Sequence, residues 1–177
     1  MTDDQKQRLT ANIHRVADVI AFMTNIGCVL IGAIMTIVVI AGVVARYVMQ
    51  NPMVWTEEIA RMAMIWTAYL GMSIAVRRRG HLGVLYFVQK LPVVLQRVVK
   101  LFTDSLILIF LYILIVNGVK MVIAAQIQIE PATGIIMSYP FLIVPLSGVL
   151  MMIQHGLVML VDILRWGTPT SPFEPAA

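Results

Sequence analysis

Charge is scarce in this chain. Asp, Glu, Lys and Arg make up 12% of its 177 residues, about half of the ~25% usual in soluble domains. Hydrophobic residues make up 60%, and a water-soluble fold of this length has too little interior to hide that much apolar surface. The single cysteine, Cys28, excludes an intramolecular disulfide and a metal cluster built from thiolates. It sits inside an apolar run and reads as a small membrane-facing packing residue. There is no glycine-rich phosphate loop and no nucleophile elbow, so no motif points to an enzyme. Of the three histidines, His14, His81 and His155, only His155 falls within an apolar run. A haem-carrying anchor of a respiratory enzyme would need paired axial ligands in the bilayer. His155 reads instead as making one interhelical hydrogen bond.

What is present is four long apolar runs, at about 22–45, 55–76, 98–123 and 139–164. Each has the ~20 residues that an α-helix needs to cross ~30 Å of hydrocarbon. The expected fold is an all-α membrane protein, a single domain of four transmembrane helices spanning 1–177. The first run starts about twenty residues in and is longer than the ~7–15-residue core of a cleaved signal, so it reads as a retained helix.

Ten Lys and Arg residues lie before the first run (Lys6, Arg8, Arg15), between the second and third (Arg77, Arg78, Arg79, Lys90, Arg97, Lys100) and after the fourth (Arg165). The other two loops hold only Arg46 and Lys120 at their edges. The positive-inside rule places both termini in the cytoplasm. Because the basic residues flank apolar runs and form no single stripe, the net charge of +4 does not indicate a nucleic-acid partner. The partner it implies is the lipid bilayer.

Two shorter segments carry amphipathic or surface-seeking character. Leu9, Ile13, Val16 and Ile20 form one helical stripe within 5–20, as in an interfacial helix leading into the membrane. The segment 82–91 is apolar but too short to span, and reads as a surface helix ended by Pro92. Lys100 and Asp104 are i, i+4 neighbours on the next helix, where Asp104 reads as a partnered or snorkelling carboxylate. Pro145 should loosen or kink the fourth helix.

The second run opens with charge. Asn51-Pro52 suits a helix start, and Glu57 and Glu58 follow near the positive end of the helix dipole. Arg61 is i+4 from Glu57 and i+3 from Glu58, so either carboxylate can pair with it. The expected arrangement is a self-neutralised triad near one membrane surface, facing another protein helix. A substrate or ion site is the alternative. Arg46 either joins the triad or snorkels to lipid phosphate. Trp55 suits an interfacial belt, Trp66 lies deeper and reads as a packing knob against a neighbour, and Gly71 allows close backbone approach. A small four-helix proton-coupled multidrug exporter would need an isolated, deep, titratable acid, which is not evident.

The stretch Arg46 to Gly71, with Trp55-Thr-Glu-Glu58-Ile-Ala-Arg61 and Trp66, followed by Arg79-Gly80-His81-Leu-Gly-Val84, resembles the small membrane subunit of TRAP (tripartite ATP-independent periplasmic) transporters, the DctQ-like or Q component. One departure is Leu85, where many members carry an acidic residue. The resemblance implies a bacterial inner-membrane complex that imports organic anions such as dicarboxylates, keto acids or sialic acid by sodium symport. A periplasmic binding protein would deliver the solute to a large DctM-like membrane subunit that moves by an elevator motion. Sodium and solute would be held by that large subunit, with no cofactor or metal in this chain. The small subunit would brace the scaffold, with Arg46, Trp55, Glu57, Glu58, Arg61, Trp66, Gly71 and His81 as structural or subunit-interface residues.

Overall fold

The computed structural model describes residues 3–77 and 92–164. The surface helix expected over 82–91, and His81 ahead of it, lie outside the described residues. Among the described residues there are five α-helices: α1 (Asp3–Tyr47), α2 (Val54–Arg77), α3 (Val93–Ala124), α4 (Ser138–Phe141) and α5 (Ile143–Leu164). Among them, four segments are long and apolar enough to cross a membrane: Arg15–Tyr47, Val54–Val76, Val94–Ile127 and Ser138–Leu160.

The N-terminal stripe and the first apolar run form one unbroken helix of 45 residues, about 67 Å long at ~1.5 Å per residue. The sequence expectation divided them at about residue 20. No glycine or proline occurs before Gly27, so nothing in the backbone chemistry interrupts the ladder there. The helix ends in a widened turn. Met49 N–H donates to Val44 O at 3.1 Å, Asn51 N–H donates to Ala45 O at 3.0 Å, and Gln50 takes a positive φ of 52°. Pro52 then prevents the chain from resuming that helix.

Proline also shapes the far end of the sequence. The fourth apolar run is split at Leu142 into a four-residue helix and a 22-residue one. Pro145 lies in the first turn of α5 and has no N–H to give to the carbonyl of Phe141. Before this break, α3 closes in a 3₁₀ turn at Ala125–Ile127. A tight connection follows, with a bridge between Ile129 and Ile136 and Gly134 at φ 69°.

The long helices do not close into a symmetric bundle. α1 packs chiefly on α2, α2 on α5, and α3 on α5, with α1 touching α5 more lightly. Of the most apolar window in each spanning segment, 39% is buried in the segment containing α5 but only 6%, 11% and 11% in those of α1, α2 and α3. α5 is therefore the central helix of an open row. Leu70, Ile143 and Val144 form the buried core, with Trp66 and Leu114 packed beside them.

Lipid tails are as apolar as leucine, so close van der Waals packing has to hold such helices together. Small residues make that contact possible at two crossings. A Cβ added to Gly42 of α1 would lie 2.7 Å from Thr56 Oγ1 of α2, and one added to Gly118 of α3 would lie 3.1 Å from the backbone N of Pro145 in α5. Among the described residues Gly71 has no such neighbour: a Cβ there would meet nothing within 4 Å. The close approach expected at Gly71 is not made internally, because α2 turns Leu70 and Thr67 toward α1 instead. The same crossing corrects the reading of Cys28. Its thiol packs against the core and donates to the Thr67 carbonyl at 3.6 Å.

Candidate functional site

Among the described residues, polar side chains gather in two places. The first lies where α1 hands over to α2. Arg46 stands in the last turn of α1 and Glu57 in the first turn of α2. The turn between these helices brings the two together, and the Arg46 guanidinium donates to Glu57 Oε1. Arg61 donates to Glu58 Oε2 at 3.1 Å. The expected triad thus resolves into two pairs: Arg61 takes Glu58, and Glu57 turns to Arg46. An i, i+4 contact was open to Glu57, but the neighbouring helix end supplied the guanidinium first. Glu58 is the more enclosed carboxylate, 17% exposed at its side chain against 54% for Glu57.

Arg61 lies seven residues into α2, about 10 Å along its axis at ~1.5 Å per residue. The cluster therefore sits near one membrane surface, well short of the midplane. Trp55 is exposed beside it, as an interfacial aromatic would be. A cavity of about 450 Å³ opens between the two helix ends, lined by Val39, Gly42, Val43, Arg46, Tyr47, Thr56, Glu57, Ala60 and Arg61.

Trp66 is engaged inside the chain. Its indole N–H donates to the Pro140 carbonyl at 3.1 Å, and the helix break at Leu142 leaves that carbonyl without a regular α-helical continuation. The knob expected to meet a neighbour meets this chain's own α4, and locks α2 to the α4–α5 corner.

The second polar group joins α2, α3 and α5. Gln154 Nε2 donates to Ser73 Oγ at 3.3 Å, and both residues are fully buried. Next to Gln154, His155 Nε2 lies 3.4 Å from Asp104 Oδ1. This is a close polar contact, but the geometry is not that of a hydrogen bond, and the single interhelical bond expected of His155 is not made by Nε2. Asp104 is 8% exposed, so it is a partnered carboxylate held between helices and does not snorkel. Sequence reasoning passed over Ser73 and Gln154. Gln154-His155 is a polar pair within an apolar helix, which is the signal that could have found it. Among the described residues, no group of three His, Cys, Asp or Glu side chains could hold a metal ion.

Known proteins resemble this chain along much of its length. A putative TRAP transporter small permease protein of Haemophilus influenzae is 40% identical over 88 residues, covering 50% of this chain and 55% of that protein. The sialic acid TRAP transporter permease protein SiaT of the same species is 27% identical over 117 residues, 66% of this chain but 19% of that one. The sialic acid TRAP transporter small permease protein SiaQ of Vibrio cholerae is 34% identical over 47 residues, 27% of each. The chain thus spans about half, or less, of the length of the curated relatives it matches. The pattern of the tripartite ATP-independent periplasmic transporters, DctQ component, matches residues 35–165. With four helices able to span the membrane, that match makes the chain a member of the DctQ family, a multi-pass inner-membrane transporter component and not an enzyme.

Proposed function

We propose that this chain is the stationary small subunit of a sodium-coupled importer of organic anions. A periplasmic protein captures the carboxylate and passes it to a large DctM-like membrane subunit, and this chain braces the part of that subunit that stays still. The observation that carries the reading is the pairing of the charges at the α1–α2 end. A coupling site needs a carboxylate without a fixed countercharge, whereas Glu57 and Glu58 are each neutralised by an arginine. The open row of helices also leaves three of its four spanning segments with broad unburied faces, on which a larger protein can pack. The likeness to SiaT supports a large partner, because the matched stretch is a minor part of that permease polypeptide.

Arg46 and Glu57 hold the ends of α1 and α2 in register, Trp55, Glu58 and Arg61 steady the start of α2, and Trp66 fixes α2 to the α4–α5 corner. Gly71, open on its own side of α2, is where a helix of the large subunit can approach. We assign His81, in the segment between α2 and α3, to the same brace. Co-expression with the neighbouring genes and mild detergent extraction tests the reading. A much larger polytopic protein should co-purify with the tagged chain. A chain that purifies as a homodimer and moves cations alone would establish the exporter alternative, with the buried Asp104 and His155 as its candidate site.

A further inference from the structure

The geometry points to a binding site for the headgroup of an ethanolamine phospholipid in the cavity between the ends of α1 and α2, with its phosphate on Arg46 and Arg61 and its ammonium on Glu57. The cavity, about 450 Å³, falls in the ~300–1,000 Å³ range of small-molecule sites. Both guanidiniums line it, and both are accessible, with side chains 49% and 62% exposed. Each guanidinium has five N–H donors in a planar fork, and one carboxylate contact on each leaves donors to turn toward a phosphate. Glu57 gives one oxygen to Arg46 and keeps the other for a cation.

Three features select the ligand. Arg61 lies only about 10 Å into α2, from where its long side chain can reach up to the headgroups. Below the charges the wall is Val39 and Val43, both exposed, which suits an acyl chain and offers nothing to a soluble anion. The polar mouth carries both signs of charge. A zwitterion with a primary ammonium satisfies both. A purely anionic headgroup meets Glu57, and a choline headgroup lacks the N–H to donate to it. This inference is independent of the transport role, because the site lies within one chain and its occupancy is read without transport.

The test uses the full chain in nanodiscs of equal parts phosphatidylethanolamine, phosphatidylglycerol and phosphatidylcholine. Native mass spectrometry reads the retained lipid, and a photoactivatable phosphatidylethanolamine maps where it sits. The expected result is preferential retention of phosphatidylethanolamine, with crosslinks confined to 39–47 and 54–61. Arg61→Gln should lower retention roughly tenfold, the scale of one charge-assisted hydrogen bond. Glycerophosphoethanolamine and inorganic phosphate, which lack tails, should fail to displace the lipid. Equal retention of all three lipids would overturn the proposal, as would crosslinks elsewhere in the wild-type chain or displacement by phosphate alone. If the large subunit is co-purified and a segment of it occupies the cavity in place of lipid, the proposal is likewise overturned. The wild-type map stands whether or not the variant folds.

Discussion

Replacing Ser73 with alanine and Gln154 with leucine should have opposite effects on stability, although the two side chains touch. Both are fully buried, and the 3.3 Å bond between them engages only the amide nitrogen of Gln154. Its Oε1 is buried with no hydrogen-bond partner. Ser73→Ala removes the acceptor and leaves both ends of the amide unpaired, which costs about 1–3 kcal/mol in a buried site. Interhelical hydrogen bonds in membrane proteins are weaker than that range suggests, averaging about 0.6 kcal/mol and reaching ~1.7, so about 1 kcal/mol is expected. Gln154→Leu removes the orphan oxygen together with the amide and keeps the volume. The Ser73 hydroxyl can then turn back to a carbonyl of its own helix. The net effect should lie between zero and a small gain. A chain of this size shifts its midpoint by about 2–4 °C per kcal/mol. Thermal unfolding in one detergent, followed by circular dichroism, should therefore show Ser73→Ala about 2–4 °C below wild type. Gln154→Leu should be at or above wild type, with the double variant close to Gln154→Leu alone. A Gln154→Leu variant that melts below Ser73→Ala would refute the reasoning, since it would mean that Oε1 is satisfied and the amide holds the helices together.

Other substitutions probe the remaining contacts. Gly118→Leu forces a side chain against the Pro145 backbone, only 3.1 Å from a Cβ, and should destabilise the chain by about 1–3 kcal/mol or more from overpacking, read as a lower melting midpoint. Gly71→Leu, with open space on that side, should leave the midpoint of the isolated chain unchanged while reducing co-purification of the large subunit. Trp66→Phe keeps most of the packing but loses the donor to Pro140, and should cost about 1 kcal/mol in the same melt. Arg61→Ala should weaken assembly more than Arg61→Lys, because Glu58 is the enclosed carboxylate. Arg46→Ala, which strips an exposed partner from exposed Glu57, should change stability by only about 0–1 kcal/mol.

The four spanning helices were legible because hydrocarbon thickness imposes a length that few other sequences satisfy. The disturbance at Pro145 was legible too, since a missing N–H is a local property of one residue. Helical spacing left Glu57 and Glu58 both open to Arg61, and the structure gives Arg61 to Glu58. Arg46 with Glu57 did not follow from spacing, because they stand on different helices and meet only once the turn at Gln50 sets the angle between them. Glycine shows the same limit. Gly71 and Gly118 look alike in an apolar run, and only the register between helices makes one open and the other tight against Pro145. Asp104 could be read as partnered, but its partner, His155, stands on a helix whose rotation the sequence does not encode locally. The continuity of α1 was not legible, because a change in surface polarity near residue 20 resembles a boundary, although the backbone has no reason to stop there.

The most direct test of the stationary-brace account is equilibrium binding of radiolabelled sodium and of the organic anion to the purified chain alone, beside the assembled complex. The account predicts saturable binding by the complex and none above background by the chain. Saturable sodium or solute binding by the chain alone, abolished by Asp104→Asn, would contradict it.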